Sequence, residues 1–211
     1  KSYAGSASSS TRGLIIGGYD NPDYKTEIDY IQIQTLGNAK DFGDCGIKKG
    51  WDGSTQSPTR GVYMSGATTV GPSTGTVIEY VTMASKGNGT DFGESTQGRR
   101  AATGGGSSVR GIFCGGYLSH AQTYNTIDYV TLASTGNAID FGDNVFNGSY
   151  QGSASNSVRM VTSGGFAHPV SYNIMAYITI ASTGNAADFG DCSYGHGSGG
   201  VSDSHGGLGG F

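Results

Sequence analysis

Charge is the scarcest commodity in this sequence. Asp, Glu, Lys and Arg make up 13% of its 211 residues, about half the share of roughly 25% usual in a soluble domain. Net charge is −4, and the basic residues form isolated pairs such as Lys48-Lys49 and Arg99-Arg100. Binding to nucleic acid through phosphates needs a basic stripe, so that class is excluded. No apolar run approaches the length of a transmembrane helix, which excludes helical membrane insertion, and no signal-peptide pattern is present. The 39 glycines do not fall at every third position, and there are only 4 prolines, so collagen is excluded. Cysteine is scarce and odd in number. Cys45, Cys114 and Cys192 form neither a CxxC nor a Cys/His pattern, and they read as small buried residues. No G-x-S-x-G and no HExxH occurs. The expectation is therefore a non-enzymatic chain with no metal and no cofactor.

What is present is repetition. "GNAKDFGD" at 37–44 returns as "GNGTDFGE" at 87–94, "GNAIDFGD" at 136–143 and "GNAADFGD" at 184–191. Asp-Phe-Gly holds magnesium in protein kinases, but there it occurs once and with companion motifs that are missing here. Asp41, Asp91, Asp140 and Asp188 stand 50, 49 and 48 residues apart, which is a structural period. Each copy offers only two carboxylates, too few for a Ca²⁺ site by itself. Three other landmarks share the period. An Arg strand reads "TRGLIIGGY", "TRGVYMSGA", "VRGIFCGGY" and "VRMVTSGGF". A second strand reads "EIDYIQI", "VIEYVTM", "TIDYVTL" and "IMAYITI", and a Gly/Ser/Ala-rich stretch precedes each Arg.

These segments are rich in Ile, Val, Tyr and Thr, which suit a pleated surface, and apolar residues nowhere recur at helical spacing. The sequence predicts an all-β fold of four-stranded units at 1–48, 49–97, 98–146 and 147–193, with a partial unit at 194–211. Alternation places Tyr30, Tyr80, Tyr129 and Tyr177 on one face and Ile31, Val81, Val130 and Ile178 on the other. Both faces read as buried between neighbouring sheets. The Gly-Asn pairs read as turns. Phe42, Phe92, Phe141 and Phe189 read as plugs between units, with the flanking Asp capping the local turn. Arg12, Arg60, Arg110 and Arg159 recur with the frame and read as structural, with a repeated Asp of a neighbouring unit as ion-pair partner.

The Arg–apolar–Gly-Gly strand followed by the Ile-Asp-Tyr strand resembles the kelch repeat, although the kelch tryptophan is missing and the Phe of Asp-Phe-Gly stands near its place. Over nearly the whole chain, "IDYVTLASTGNAIDFGD", "SSSTRG" and "GGY" look like the Gly-rich repeats of virion proteins of tailed phages, notably marine and cyanobacterial ones. The resemblance implies a kelch-like β-propeller of about four four-stranded blades plus a C-terminal half repeat. It also implies a tail-fibre, tail or capsid-decorating role in the virion. The partners implied are other virion proteins or further copies of the chain, and host surface glycans. The alternative is a secreted or cell-surface lectin-like propeller of a bacterium.

Within the repeat, the connection after the Gly-Gly strand is what varies. Loops on a rigid scaffold are where binding concentrates, and aromatic rings with polar tips suit sugars. The candidate ligand-binding residues are Tyr19, Asp20 and Tyr24; Tyr117, His120 and Tyr124; and Phe166, His168 and Tyr172. Trp51, the single Trp, is the candidate contact anchor.

Overall fold

The computed structural model describes residues 1–68, 74–119 and 121–195. His120 and nearly all of the 194–211 partial unit, with His196 and His205, lie outside them. All regular structure among the described residues is β-strand. Unit 1 holds β1 (Gly5–Ser8), β2 (Arg12–Ile16), β3 (Tyr19–Asp20), β4 (Asp23–Gln32) and β5 (Lys40–Lys49). Unit 2 holds β6 (Ser54–Gln56), β7 (Arg60–Met64), β8 (Val77–Thr82) and β9 (Thr90–Glu94). Unit 3 holds β10 (Thr103–Gly106), β11 (Arg110–Cys114), β12 (Tyr117–Ser119), β13 (Gln122–Thr123), β14 (Thr126–Thr131) and β15 (Ile139–Asp143). Unit 4 holds β16 (Gly152–Ser155), β17 (Arg159–Ser163), β18 (Phe166–Ala167), β19 (Val170–Ser171), β20 (Ile174–Thr179) and β21 (Ala187–Asp191).

Each unit forms an antiparallel sheet: β1-β2-β4-β5, β6-β7-β8-β9, β10-β11-β14-β15 and β16-β17-β20-β21. The turn into each Arg strand is closed by a side chain three residues earlier. Ser9, Ser57 and Ser107 Oγ and Asn156 Oδ1 accept from the amides of Arg12, Arg60, Arg110 and Arg159. These are the local side-chain bonds that make Ser and Asn turn residues.

Three cores lie between consecutive sheets. Leu14, Ile16, Ile28 and Phe42 of unit 1 meet Tyr63, Val81 and Met83 of unit 2. Val62, Met64, Ile78 and Phe92 meet Phe113, Val130 and Leu132. Ile112, Ile127 and Phe141 meet Met160, Ile178 and Ile180. The Asp-Phe-Gly string owes its form to this packing. In unit 1, Asp29 pairs with Asp41 and Ile28 with Gly43, so Phe42 is the extra residue of a β-bulge. Units 2, 3 and 4 repeat the same shift. The Gly after Phe has φ of 151°, 145° and 143° in units 1 to 3, and a Cβ on Gly43 would lie 2.3 Å from the carbonyl of Gly87. Only glycine tolerates both that conformation and that approach.

Several expectations change in the details. The Gly-Asn pairs are not the turns. The reversal lies upstream, where Thr35, Ser85, Ser134 and Ser182 amides bond Gln32, Thr82, Thr131 and Thr179 carbonyls. Gly-Asn instead clasps the preceding unit. Gly87, Gly136 and Gly184 amides donate to Phe42, Phe92 and Phe141 carbonyls, and Asn88, Asn137 and Asn185 Oδ1 accept from Asp44, Glu94 and Asp143 amides. The flanking acids contribute backbone to this clasp while their side chains face solvent.

The repeated Arg does not pair with an Asp. Arg12, Arg60 and Arg110 donate to the carbonyls of Met83, Leu132 and Ile180 in the next unit. All four Arg, Arg159 included, lie over Tyr30, Tyr80, Tyr129 and Tyr177 at 4.5–5.2 Å from the ring centroids. A guanidinium is planar and weakly hydrated, so it stacks on an aromatic face while still donating at its edge. The acid of the Ile-Asp-Tyr strand has its own partner. Lys1 pairs with Asp29 at 2.9 Å, Lys49 with Glu79, and Arg99 with Asp128 at 2.9 Å. Burial on both faces holds only inside the stack. Val81, Val130 and Ile178 are buried, Ile31 is exposed, and the four Tyr are half-buried beneath their Arg.

Candidate binding cleft

The small-residue strands β1, β6, β10 and β16 lie side by side and line one cavity of about 590 Å³. Hydroxyl groups join them. Ser54 Oγ donates to Ser6 O, Thr55 Oγ1 to Gly105 O, and Ser153 Oγ to Gly104 O, at 2.6–2.7 Å. A Cβ on Gly104 would sit 1.9 Å from Ser54 O, so these strands approach only because their residues are small.

One residue per unit precedes this lining in a left-handed conformation. Tyr3, Trp51, Ala101 and Tyr150 have φ of 53–57°. They are linked in a chain of backbone hydrogen bonds, the Trp51 amide donating to the Tyr3 carbonyl, Ala101 to Trp51 and Tyr150 to Ala101. Non-glycine residues with positive φ are strained, and such strain concentrates at functional sites. Together with Phe166 and Ser171 these four line a cleft of about 640 Å³ that shares Ala4, Asp52, Ala102 and Gln151 with the inner cavity.

The rim is an aromatic cluster. Tyr3 meets Trp51 edge-on at 4.7 Å, and Tyr24 and Tyr150 meet it at 6.5 and 6.3 Å. Arg100 lies over both Trp51 and Tyr117, at 5.1 and 4.7 Å. The hydroxyls of Tyr117 and Tyr150 are 2.7 Å apart. Burial pushes the Tyr150 phenol above its usual range, aided by the bond to Tyr117.

The cleft lining carries polar atoms without a protein partner. Trp51 Nε1, both carboxylate oxygens of Asp52 and Gln151 Nε2 are buried and make no hydrogen bond to protein. Gln151 spends its other atom, Oε1, on Asn144 Nδ2 at 3.3 Å. Buried polar groups are nearly always satisfied, so such a group calls for a ligand or a stated role. The Asp52 carboxyl is pushed up to about 7, chiefly by burial. The Lys49 charge and the nearby backbone amides of Asp52 and Gly5 oppose that shift, although neither amide meets the carboxylate with the geometry of a hydrogen bond.

The structure brings together some of the candidate binding residues. Trp51 and Phe166 line the cleft, and buried Tyr24 and Tyr117 back the rim. Tyr19 pairs with Tyr24 across the short β3–β4 hairpin and donates to Asn21 Oδ1. Asp20 is exposed at that hairpin's tip and His168 is exposed beside Phe166. Tyr172 packs on Phe146 at 4.6 Å, and half-buried Tyr124 uses its backbone on Gly116 and Gly148. None of these five lines the cleft. The described connections of units 1, 3 and 4 are thus short hairpins and not open loops. Tyr3, Tyr150, Asp52, Gln151 and Arg100 escaped the sequence reading. A signal existed for the rim residues, since Tyr3, Trp51, Ala101 and Tyr150 each stand nine positions before a repeated Arg.

Among the described residues there is no group of three or more His, Cys, Asp and Glu side chains placed to hold a metal ion. Cys45 and Cys114 are buried free thiols pushed up to about 12 by burial. No helix of the described residues is long and apolar enough to cross a membrane. No protein-family model matches the chain, and no curated protein matches it.

Proposed function

We propose that this chain is a non-enzymatic surface component of a tailed-phage virion, in a tail fibre, tail or capsid decoration, that binds a sugar ring of a host glycan at the aromatic cleft. Support for a kelch-like propeller frame comes from four similar sheets whose innermost strands line one cavity. The phage setting rests on the resemblance of the repeat. The sugar reading rests on one observation, the conjunction of the Tyr3–Trp51–Tyr150 rim with unpartnered polar atoms on the same lining. A pyranose has an apolar face for an aromatic ring and a belt of hydroxyls that both donate and accept. Trp51 Nε1 and Gln151 Nε2 would donate to it and Asp52 would accept. A bacterial cell-surface lectin would use the same site in another setting.

The sole Trp is itself the reporter. Titration of neutral oligosaccharides is expected to shift Trp51 emission saturably, and Tyr150→Ala to weaken binding about tenfold, equivalent to about 1.4 kcal/mol. A panel of host glycans with no saturable change would remove the sugar reading. Quantitative mass spectrometry of purified particles addresses the setting. Presence at a low, tail-like ratio to the major capsid protein fits a fibre, presence near the capsid ratio fits decoration, and absence leaves the lectin.

A further inference from the structure

We infer that copies of this chain associate head to tail, the bare outer half of unit 4 in one copy seating on the bare outer half of unit 1 in the next. The three internal interfaces are the template. In each, a bulged Phe is covered, with Phe42, Phe92 and Phe141 only 1–3% exposed. Phe189 at the same position is 51% exposed. The opposing apolar residue, Met83, Leu132 or Ile180, is 1–2% exposed, whereas its unit 1 counterpart Ile33 is 52% exposed.

The polar groups match in the same way. Each internal Arg reaches the carbonyl of Met83, Leu132 or Ile180. Arg159 stacks on Tyr177 without such an acceptor among the described residues, and the equivalent carbonyl on unit 1 is that of Ile33. Each internal Gly-Asn clasps the unit before it. Among the described residues, Gly37 and Asn38 of unit 1 clasp no other unit, and no Asn side chain meets the Asp191 amide of unit 4. The two faces are the two halves of one interface, and different but mutually complementary surfaces on opposite ends of a molecule build rings or filaments.

A second copy fits unit 4 better than residues 196–211 do. That segment contains no Gly-Asn-x-x-Asp-Phe-Gly string, whereas a second copy presents one in unit 1. Within one copy Phe189 and Ile33 are both half exposed, so the described residues do not cover these faces. The inference does not depend on sugar binding, because the aromatic cleft lies at the inner strands.

Sedimentation velocity of the intact chain tests it, from about 1 to several hundred µM, where an interface of modest area dissociates. Mass is expected to rise with concentration. Phe189→Asp and Ile33→Asp are each expected to remain monomeric, with unchanged circular dichroism and Trp51 emission because both side chains are exposed in the monomer. Mixed in equal amounts, the two variants each retain one good face and are expected to form a dimer that grows no further. Arg159→Ala is expected to weaken association about tenfold. A wild-type chain that stays monomeric overturns the inference, as does a mixture that fails to dimerise. So does a Phe189→Asp chain that associates as wild type does, which would place the contact elsewhere.

Discussion

Units 3 and 4 share a backbone frame and differ in what fills the same space. In unit 3, Arg99 and Asp128 form an ion pair with both side chains wholly buried. Thr96 adds a 2.6 Å bond to the carboxylate. The equivalent positions in unit 4 are Gly148 and Ala176, so both charges are gone together. The Phe146 ring lies over Gly148, where a Cβ would meet its Cε2 at 2.4 Å. One chain thus holds both solutions to one packing problem. Burying two charges costs desolvation that their attraction barely offsets, so an apolar plug serves equally well. What is not tolerated is one partner alone. The outer faces differ as well. Unit 3's Arg110, Phe141 and Gly142 are covered by unit 4, while Arg159, Phe189 and Gly190 are bare.

Breaking the ion pair should give the largest effect. Arg99→Ala leaves Asp128 buried with Thr96 as its only bonded partner among the described residues and is expected to destabilise by about 3–5 kcal/mol in urea unfolding. Arg99→Gly with Asp128→Ala, imitating unit 4, is expected to recover at least half of that loss. A double variant no better than the single one would show that the pair acts through packing and not through charge. The Phe comparison comes next. Phe141→Ala is expected to cost about 3–4 kcal/mol as a buried aromatic truncation, and Phe189→Ala under about 1 kcal/mol at low protein concentration. Equal costs would mean that Phe189 is covered in solution.

The glycine pair should separate by less. Gly142→Ala meets the Gly184 carbonyl at 2.5 Å, whereas Gly190→Ala finds nothing nearer than Met175 Cε at 3.9 Å. Both carry the penalty of positive φ, about 1 kcal/mol. Gly142→Ala is therefore expected to lose about 1–2 kcal/mol more, through the displaced clasp. The smallest effect concerns pH. Asp52 has a folded pKa of about 7 against an ordinary value of 3.8, so the native state binds the proton more tightly than the unfolded one. Its favourable contribution is full below pH 3.8 and is lost as pH rises toward 7. The melting temperature of Asp52→Asn minus that of wild type is therefore expected to grow between pH 4 and pH 7 and then level off. A flat difference would mean that the carboxyl is solvated.

Much of the frame was legible because its causes are local. Alternating β-branched and aromatic residues marked β2, β4 and their equivalents, and the recurrence of Asp-Phe-Gly marked each unit and placed Phe42, Phe92 and Phe141 between units, whereas Phe189, read as the same plug, is exposed. The role of Gly-Asn was misread because a flexible pair looks alike as a turn or as a clasp. Only the next sheet, whose Phe and Asp backbone it bonds, distinguishes them. The Arg was assigned to an acid because charge complementarity is the simplest sequence inference. A carbonyl acceptor and a Tyr face leave no charge signature. Of the cleft, Trp51 and Phe166 were found as aromatics in irregular segments, while Asp52 and Gln151 looked like any polar residues.

The sequence by itself determined the all-β class, the four-fold period, the order of strands within each unit and the residues that separate one sheet from the next. These follow from periodicity and from backbone preferences that each short segment carries alone. The tertiary structure decided which acid met which base, which glycines faced a neighbouring carbonyl, and which aromatics turned inward to rim a cleft. Those outcomes depend on groups roughly 50 positions apart being brought within hydrogen-bonding distance, a condition set by the stacking of whole sheets.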